Sequence, residues 1–165
     1  RIRQFLEEEE NLLLRDNVKM HFTASAWVLN PSKNKVLMLY HNIYQSWSWS
    51  GGHADGEGDL LSVAMKEVKE ESGLVSLKPL SDSPISIEIL GVQPHYKKQK
   101  YVSAHLHLNY TFLLHNTKEE KLKICPEENS KVGWLSPDEA VRSSTEAWMK
   151  PIYKKLNQKM RKYLG

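Results

Sequence analysis

Cysteine is almost absent from this sequence, since Cys125 is the single thiol among 165 residues. One cysteine forms no internal disulfide and builds no zinc site of several thiolates, so both kinds of cross-link are excluded. Long apolar runs are also missing, whereas a membrane-spanning helix needs about 20 predominantly apolar residues. No signal peptide is recognisable. We therefore expect a cytoplasmic protein without a membrane-spanning segment.

An excess of charge of one sign is lacking too. The formal net charge is +3, which is too small to predict nucleic acid or a membrane surface as a partner. Hydrophobic residues make up 40% of the chain and charged residues 26%, as is ordinary for a globular protein. No internal repeat is visible. The sequence predicts one domain over residues 1–165, present as a monomer or a homodimer.

The most informative stretch runs from Gly51 to Leu74 and reads GGHADGEGDLLSVAMKEVKEESGL. A glycine-rich loop comes first. Asp59 is a suitable N-cap and Gly73 a suitable helix stop, so the pattern predicts a helix of about four turns between them. The apolar stripe of this helix is typical of packing on a sheet and comprises Leu60, Leu61, Ala64, Met65 and Val68.

Three glutamates of the predicted helix share one face, because Glu67, Glu70 and Glu71 are spaced at i, i+3 and i+4. They border the apolar stripe, where like charges repel more strongly than they do in water. A divalent cation would turn this repulsion into attraction. Carboxylate oxygens suit Mg²⁺ or Mn²⁺, with substrate phosphates as further ligands. The alternative is an acidic helix face in solvent.

The residues around the glycine-rich loop are candidates for substrate binding. Gly51 and Gly52 allow the backbone to approach a phosphate closely, although an ordinary turn also uses glycines. His53 follows them and is assigned to the same set. Trp49 offers a ring that stacks on a nucleobase, with core packing as the alternative. Tyr96 lies in a basic loop that faces either phosphates or solvent.

Two histidines alternate in a later strand pattern, in which His105 and His107 face one side and Leu106 and Leu108 the other. A His-x-His pair is compatible with zinc, but a tetrahedral site needs at least a third ligand, and none is spaced nearby. We therefore expect these histidines to line a substrate cleft or to hold ordinary positions in the sheet.

The order of the remaining elements predicts an α/β fold, an α/β/α sandwich around a mixed sheet. The terminal helices are expected on the face opposite the glutamate helix, and Pro151 is expected to kink the last helix or to start it afresh. Helices are expected over residues 2–15 (within an N-terminal extension, 1–16), from Ser136 onward and over 145–164; strands over 21–30, 35–41, 47–50, 74–80, 86–93, 101–114 and 131–135; and a loop over 95–100.

The stretch that begins at Gly52 resembles the loop-helix-loop box of the Nudix hydrolases, G-x5-E-x7-R-E-U-x-E-E-x-G-U, in which U is a bulky aliphatic residue. Its second half reads KEVKEESGL from Lys66 onward and matches every fixed position except the arginine. Gly58 stands at the position of the first box glutamate. In the family this glutamate and the arginine support each other and brace the helix. Glu57 or Asp59 is available to replace the missing acid.

The resemblance implies a Nudix-type sandwich with its box at residues 51–74. It also implies a metal-dependent hydrolase that cleaves the pyrophosphate linkage of a nucleoside diphosphate joined to another group. Glu67, Glu70 and Glu71 are the expected ligands of Mg²⁺, which Mn²⁺ can replace. The expected catalytic residues are Glu67, Glu70 and Glu128, and the general base is either Glu67 or Glu128.

Other functions of a Nudix fold remain open. A module that binds a nucleotide without cleaving it is one alternative, because Gly58 and Lys66 depart from the box. Isopentenyl diphosphate isomerase shares the fold but needs an active-site cysteine beside the box, and Cys125 lies far from that place. Residues that mark ADP-ribose or dinucleoside polyphosphate relatives are expected near Ile89 to Val92 and are missing there. The nature of the second group on the nucleotide therefore stays open.

Overall fold

The computed structural model describes residues 2–8 and 10–165. In chain order these residues form α1 (Ile2–Glu8), β1 (Met20–Leu29), β2 (Val36–His41), β3 (Ser46–Ser48), β4 (Ser50–His53), α2 (Leu60–Ser72), β5 (Leu77–Pro79), β6 (Ser86–Val92), β7 (His95–Lys97), β8 (Lys100–Val102), β9 (His105–Asn116), β10 (Asn129–Leu135), α3 (Pro137–Ser143) and α4 (Lys150–Leu164). Two of these elements, β4 and α2, form the predicted loop-helix stretch.

A mixed sheet forms the centre of the fold, with the strand order β10-β2-β1-β9-β5. The strand β1 pairs in parallel with β9 along its whole length, from Met20 opposite Leu106 to Leu29 opposite His115. On its other side, β1 pairs antiparallel with β2 near Leu29 and with β4 further down. The strands β3 and β6 extend the sheet on β2 and β9, and β7 and β8 form a separate hairpin.

Helices cover both faces of this sheet. Successive residues of a strand face opposite sides, so the buried residues of β1 divide between two apolar clusters, one on each face. Ala24, Ala26 and Val28 of β1 pack with α2 on one face. Trp27 and Leu29 of the same strand pack on the opposite face with α3 and α4. The α/β/α sandwich with a mixed sheet is therefore confirmed, with the glutamate helix and the C-terminal helices on opposite faces.

The ends of α2 agree with the sequence. Asp59 accepts a hydrogen bond from the Ser62 backbone N–H at 3.2 Å and so caps the first turn. Gly73 has φ 77° at the other end, a left-handed conformation that favours glycine, and its N–H donates to the Lys69 carbonyl. These two caps fix the length of the helix and therefore which of its side chains face the sheet.

Several predicted elements differ from the structure, among them the strand over 101–114, which is divided between β8 and β9. The helix α1 ends at Glu8, well before residue 15, and residues 1 and 9 lie outside the described set. The stretch from His95 to Lys100, predicted as a loop, contributes to the β7–β8 hairpin. The last helix begins at Lys150 and not at Thr145, because Pro151 fits the first turn of a helix, where its missing N–H needs no partner.

The segment after α1 still braces the domain, since Leu12 packs with Met20 and Leu108 at the end of the sheet. Among the helices of the described residues, none combines the length and the apolar composition that crossing a membrane requires.

Candidate active site

Glu71 is the most buried of the three box glutamates, with 5% of its surface exposed. The Ser50 hydroxyl and the Gly51 backbone N–H both donate to its Oε1 atom, at 2.9 and 3.1 Å. The Asn129 amide donates to its backbone carbonyl at 3.0 Å. The helix α2, the strand β4 and the start of β10 are thus joined at this one residue. Neither Ser50 nor Asn129 carries a recognisable motif, and sequence reasoning missed both.

Glu67 lies one turn earlier on α2, partly buried against the backbone of Gly52. A Cβ atom added at Gly52 would lie 2.4 Å from Oε1 of Glu67, far inside van der Waals contact. A side chain at this position would displace the Glu67 carboxylate. Gly51 is also confined, because its Cβ would lie 2.7 Å from the Ala24 carbonyl oxygen.

Burial favours the protonated form of both Glu67 and Glu71. Burial raises the pKa of Glu71 to about 8, although the hydrogen bonds from Ser50 and Gly51 act in the opposite direction. Burial and then the charge of Glu70 raise the pKa of Glu67 to about 7. A pair of desolvated carboxylates at this spacing is costly in its charged form unless a cation compensates it.

Glu70 lies in a different environment from its two neighbours. Its side chain is 55% exposed, and the Lys66 ammonium lies 3.7 Å from its Oε1 atom. This exposed ion pair within one helix contributes little to stability. Along this edge of α2, Glu67 and Glu71 thus lie against the sheet and Glu70 is accessible to solvent. The arrangement is compatible with a metal ion that takes oxygen ligands from both the protein and a substrate.

Glu128 lies in the turn before β10 and is half-buried. Its carbonyl accepts a hydrogen bond from the Asn42 N–H, which ties the turn to the end of β2. The carboxylate is close enough to raise the pKa of both Glu67 and Glu71 through its charge. The fold thus brings a fourth acid, 57 positions after Glu71 in the sequence, towards the pair on α2.

The two acids that were expected to replace the missing box glutamate already have other partners. Glu57 accepts a hydrogen bond from the Asp59 N–H at 2.8 Å. Asp59 caps α2 and also accepts from the Ser62 hydroxyl at 2.8 Å. Gly58 itself faces open space, with no atom within 4 Å of an added Cβ. Both acids therefore shape the entrance of the helix.

The aromatic candidates lie apart from the glutamates. Trp49 packs edge-on against Tyr153 of α4, on the sheet face opposite α2, and the backbone N–H of Trp49 donates to the Tyr153 hydroxyl. Tyr96 lies on the β7–β8 hairpin, 72% exposed, with its ring against Tyr101. The structure therefore brings together the two glycines and the acids, but not the two rings.

His53 belongs to a cluster of four imidazoles that the sequence did not reveal. Its ring centroid lies 5.1 Å from that of His21 and 5.0 Å from that of His107. His105 completes the group at 4.8 Å from His21. The expectation that the His-x-His pair has no third ligand nearby was wrong, because the parallel pairing of β1 and β9 places His21 directly beside His107.

Three imidazoles of the cluster have lowered pKa values. Burial lowers the pKa of His53 to about 3 and that of His107 to about 2, and it also lowers the pKa of His21. The Arg15 guanidinium adds to the effect on His53. Arg15 forms a two-point ion pair with Asp55, at 2.7 and 2.6 Å. Neutral imidazoles with low pKa values keep lone pairs available for a metal or for hydrogen-bond donors.

Comparison with known proteins gives a consistent result. No curated protein sequence matches the chain significantly. Several solved structures share its fold, among them an Ap4A hydrolase from C. elegans with 18% identity, coverage of 83% of this chain and 95% of that chain, and a TM-score of 0.62. A NUDIX family hydrolase from Clostridium perfringens is similar at 17% identity, with coverage of 86% and 96% and a TM-score of 0.61.

Dihydroneopterin triphosphate pyrophosphohydrolase from E. coli is also similar, at 16% identity, with coverage of 81% and 92% and a TM-score of 0.59. The family model of the NUDIX domain matches residues 19–156. That range contains the sheet, the glycine-rich loop and all three box glutamates. The chain therefore belongs to the NUDIX domain family.

Proposed function

We propose that this protein is a divalent-metal-dependent pyrophosphohydrolase that acts on a nucleoside diphosphate joined to another group. Membership of the NUDIX family supports hydrolysis of pyrophosphate bonds in general. The observation that carries the proposal is the pair of desolvated carboxylates, Glu67 and Glu71, pressed against the glycine backbone of β4. Such a pair is stable in its charged form only when positive charge is supplied to it.

The donor set fits Mg²⁺ or Mn²⁺. Glu67, Glu70 and Glu71 offer oxygen atoms only, and Glu70 is exposed enough to meet a substrate and its cation from solvent. Bound there, the cation would neutralise phosphate oxygens and lower the pKa of a water molecule. The fixed hydrogen bonds from Ser50 and Gly51 hold the Glu71 carboxylate in one orientation while this happens.

A proton acceptor for the attacking water must be a carboxylate that is not fully used as a ligand. Glu67 is one candidate, because its carboxylate lies between α2 and the glycine backbone of β4. Glu128 is the second candidate, because its turn brings it within electrostatic range of Glu67. Both remain in the proposed catalytic set together with Glu70.

The proposed substrate class is a nucleoside diphosphate derivative such as a nucleoside triphosphate or a nucleotide sugar. The similar structures include an Ap4A hydrolase and a dihydroneopterin triphosphate pyrophosphohydrolase, and both names describe cleavage of phosphate anhydrides. Gly51 and Gly52 are proposed to contact the substrate from β4, whereas His53 faces the other side of the sheet and is proposed to contact only a part of the substrate that reaches beyond the acids. Trp49 and Tyr96 remain proposed contacts only for parts of the substrate that reach beyond the acids. A cytoplasmic location and a monomeric or dimeric state remain predictions.

The test is turnover of a nucleotide panel with and without Mg²⁺, measured as release of phosphate and nucleoside monophosphate. Glu70→Gln should abolish metal-dependent turnover and leave the unfolding temperature unchanged, because an exposed amide replaces an exposed carboxylate of the same shape. Glu119→Gln, an exposed glutamate in the loop after β9, is the matched control and should retain full activity. Wild-type rates in Glu70→Gln would show that α2 does not carry the site.

A nucleotide-binding module without hydrolytic activity is the second candidate. The specific observation in its favour is the Lys66–Glu70 ion pair, which partly neutralises an expected metal ligand. Lys66 stands where the family has arginine. Gly58 stands where the family has the glutamate that pairs with this arginine. Nucleotide binding by calorimetry, together with no turnover on any substrate of the panel, would favour this module over the enzyme.

A further inference from the structure

The histidine cluster has the arrangement of a metal site. One ring nitrogen from each of His21, His105 and His107 lies within 4.8 Å of the other two. The Nε2 atoms of His105 and His107 are 3.0 Å apart. Two nitrogens bound to one tetrahedral zinc at about 2.0–2.1 Å lie roughly 3.3 Å apart, so the observed spacing is close to that of ligands around a single ion.

The outer nitrogens of two of these rings are already fixed by backbone carbonyls. Nδ1 of His21 lies 3.0 Å from the Asn17 carbonyl oxygen, and Nδ1 of His105 lies 2.8 Å from that of Ser103. In each ring the Nδ1–H therefore donates to a carbonyl, and Nε2 keeps its lone pair. This is the support that metal-bound histidines commonly have, because it sets the tautomer and the orientation of the ring.

His21 Nε2 is the atom that ordinary packing does not explain. It is buried and has no hydrogen-bond partner among the described residues. The neighbouring buried polar groups on the same sheet face are paired with each other, since Thr23 donates to Asn109 and the Asn109 amide donates to Ser25, both at 2.9 Å. Thr23, Ser25 and Asn109 are thus satisfied. His21 Nε2, like Trp27 Nε1 further along β1, is satisfied by none of the described residues, and the His21 ring lies beside two other imidazoles.

The cluster is separate from the carboxylate site. Successive residues of a strand face opposite sides of a sheet, so Gly52 faces Glu67 while His53 faces the side that carries His21. The ligand types also differ, because imidazole nitrogens favour zinc and its neighbours in the transition series, whereas carboxylate oxygens favour magnesium. The charge of Arg15 lowers the pKa of both His21 and His53, and Asp55 pairs with this charge.

We propose that His21, His105 and His107 form a second metal site that binds one transition-metal dication, with zinc as its representative, independently of the carboxylates of α2. Three protein nitrogens leave one tetrahedral position for water or another small ligand. His53 lies against this open group without contributing one of the three convergent atoms.

The experiment is zinc titration by calorimetry of metal-stripped, tag-free protein in an excess of Mg²⁺, with Co²⁺ absorption as the spectroscopic readout. The wild type should bind one Zn²⁺ per chain, and Co²⁺ should give the visible bands of tetrahedral nitrogen coordination. His107→Ala should weaken zinc binding by at least about 100-fold, because even loss of a supporting partner costs 10- to 100-fold. His105→Gln, the more conservative change, should do the same if His107→Ala fails to fold.

Three matched variants separate this site from other zinc ligands. His115→Gln changes a histidine of the same strand that lies beside the Pro31 carbonyl, and it should bind zinc like the wild type. Glu71→Gln and Cys125→Ser should also leave zinc affinity unchanged. The proposal is overturned if the wild type binds no zinc, if both histidine variants bind it normally, or if Glu71→Gln or Cys125→Ser abolishes binding. None of these outcomes depends on nucleotide hydrolysis.

Discussion

At the scale of single residues, the small size of Gly52 contributes to the site together with the acids. Glu67 approaches Gly52 so closely that any β-carbon there would overlap its carboxylate. The sequence predicted glycines for contact with a phosphate, and the structure adds that the same glycine makes room for the acid. Spacing along a helix shows which residues share a face, but it does not show how close an adjacent strand comes.

We expect Gly52→Ala to displace the Glu67 carboxylate at little cost in the free energy of unfolding, because the atoms that the new Cβ meets belong to the end of a flexible side chain. It should also remove metal-dependent turnover, because Glu67 must rotate away from β4. Chemical denaturation and the nucleotide assay measure the two effects. Gly58→Ala is the control, since its new Cβ meets open space, and its stability should stay within about 0.5 kcal/mol. Equal turnover by the two variants would contradict the crowding argument.

At the scale of secondary structure, α2 was predictable and α1 was not. The caps at Asp59 and Gly73 specify α2 locally, and the structure retains both. The helix α1 stops at Glu8, although the apolar pattern of the sequence extends to residue 15. The buried Leu12 packs on Met20 and Leu108, so a tertiary contact and not a helical repeat accounts for it. Local signals thus predict an element well only where caps accompany periodicity.

The C-terminal cap of α2 gives a prediction at this scale. Gly73→Ala places a side chain at φ 77°, where its Cβ would also lie 3.0 Å from Cβ of Lys123. Because left-handed backbone costs an L-residue about 1–2 kcal/mol, we expect a loss of stability of that size. Thermal or urea unfolding measures it. Gly91→Ala in β6, with open space and an ordinary φ, should be neutral or slightly stabilising, and an equal loss there would refute the explanation.

At the scale of the whole molecule, the pH dependence of stability should report both clusters. Glu67 and Glu71 have folded-state pKa values of about 7 and about 8, above their ordinary value of 4.5. Their contribution to stability is complete below about pH 4.5 and is lost as pH rises through 7 and 8. His53 and His107, with pKa values lowered to about 3 and about 2, act in the opposite direction below pH 6.5.

The two effects overlap between pH 4.5 and 6.5, so the clear windows lie outside that range. We expect metal-free protein to lose stability as pH rises from 6.5 to 8 and again as pH falls below 4.5. Unfolding temperatures measured at closely spaced pH values test this. Mg²⁺ should stabilise the protein more at pH 8 than at pH 6, and Glu71→Gln should reduce the loss at high pH. A flat profile from pH 6.5 to 8 would show that these acids are not desolvated.

The fold class and the acidic part of the site could be predicted from the sequence, because the box compresses them into 24 adjacent residues. The histidine cluster could not, because its members come from three strands that are far apart in the chain. His21 and His107 meet only through the parallel register of β1 and β9, which leaves no local pattern. The sequence does show the His-x-His pair, but nothing near this pair in the sequence points to His21 as the third ligand.

The same parallel pairing has a kinetic consequence. Hydrogen-bonded partners on β1 and β9 are 86 residues apart, so most of the chain must be held in a closed loop before these strands align. Folding dominated by such distant contacts is slow, in the range of about milliseconds to seconds. An ion held between these strands would bind only after they have aligned. We therefore expect zinc to slow unfolding in stopped-flow experiments while leaving the refolding rate nearly constant, and an equal acceleration of refolding would mean that the strands meet early.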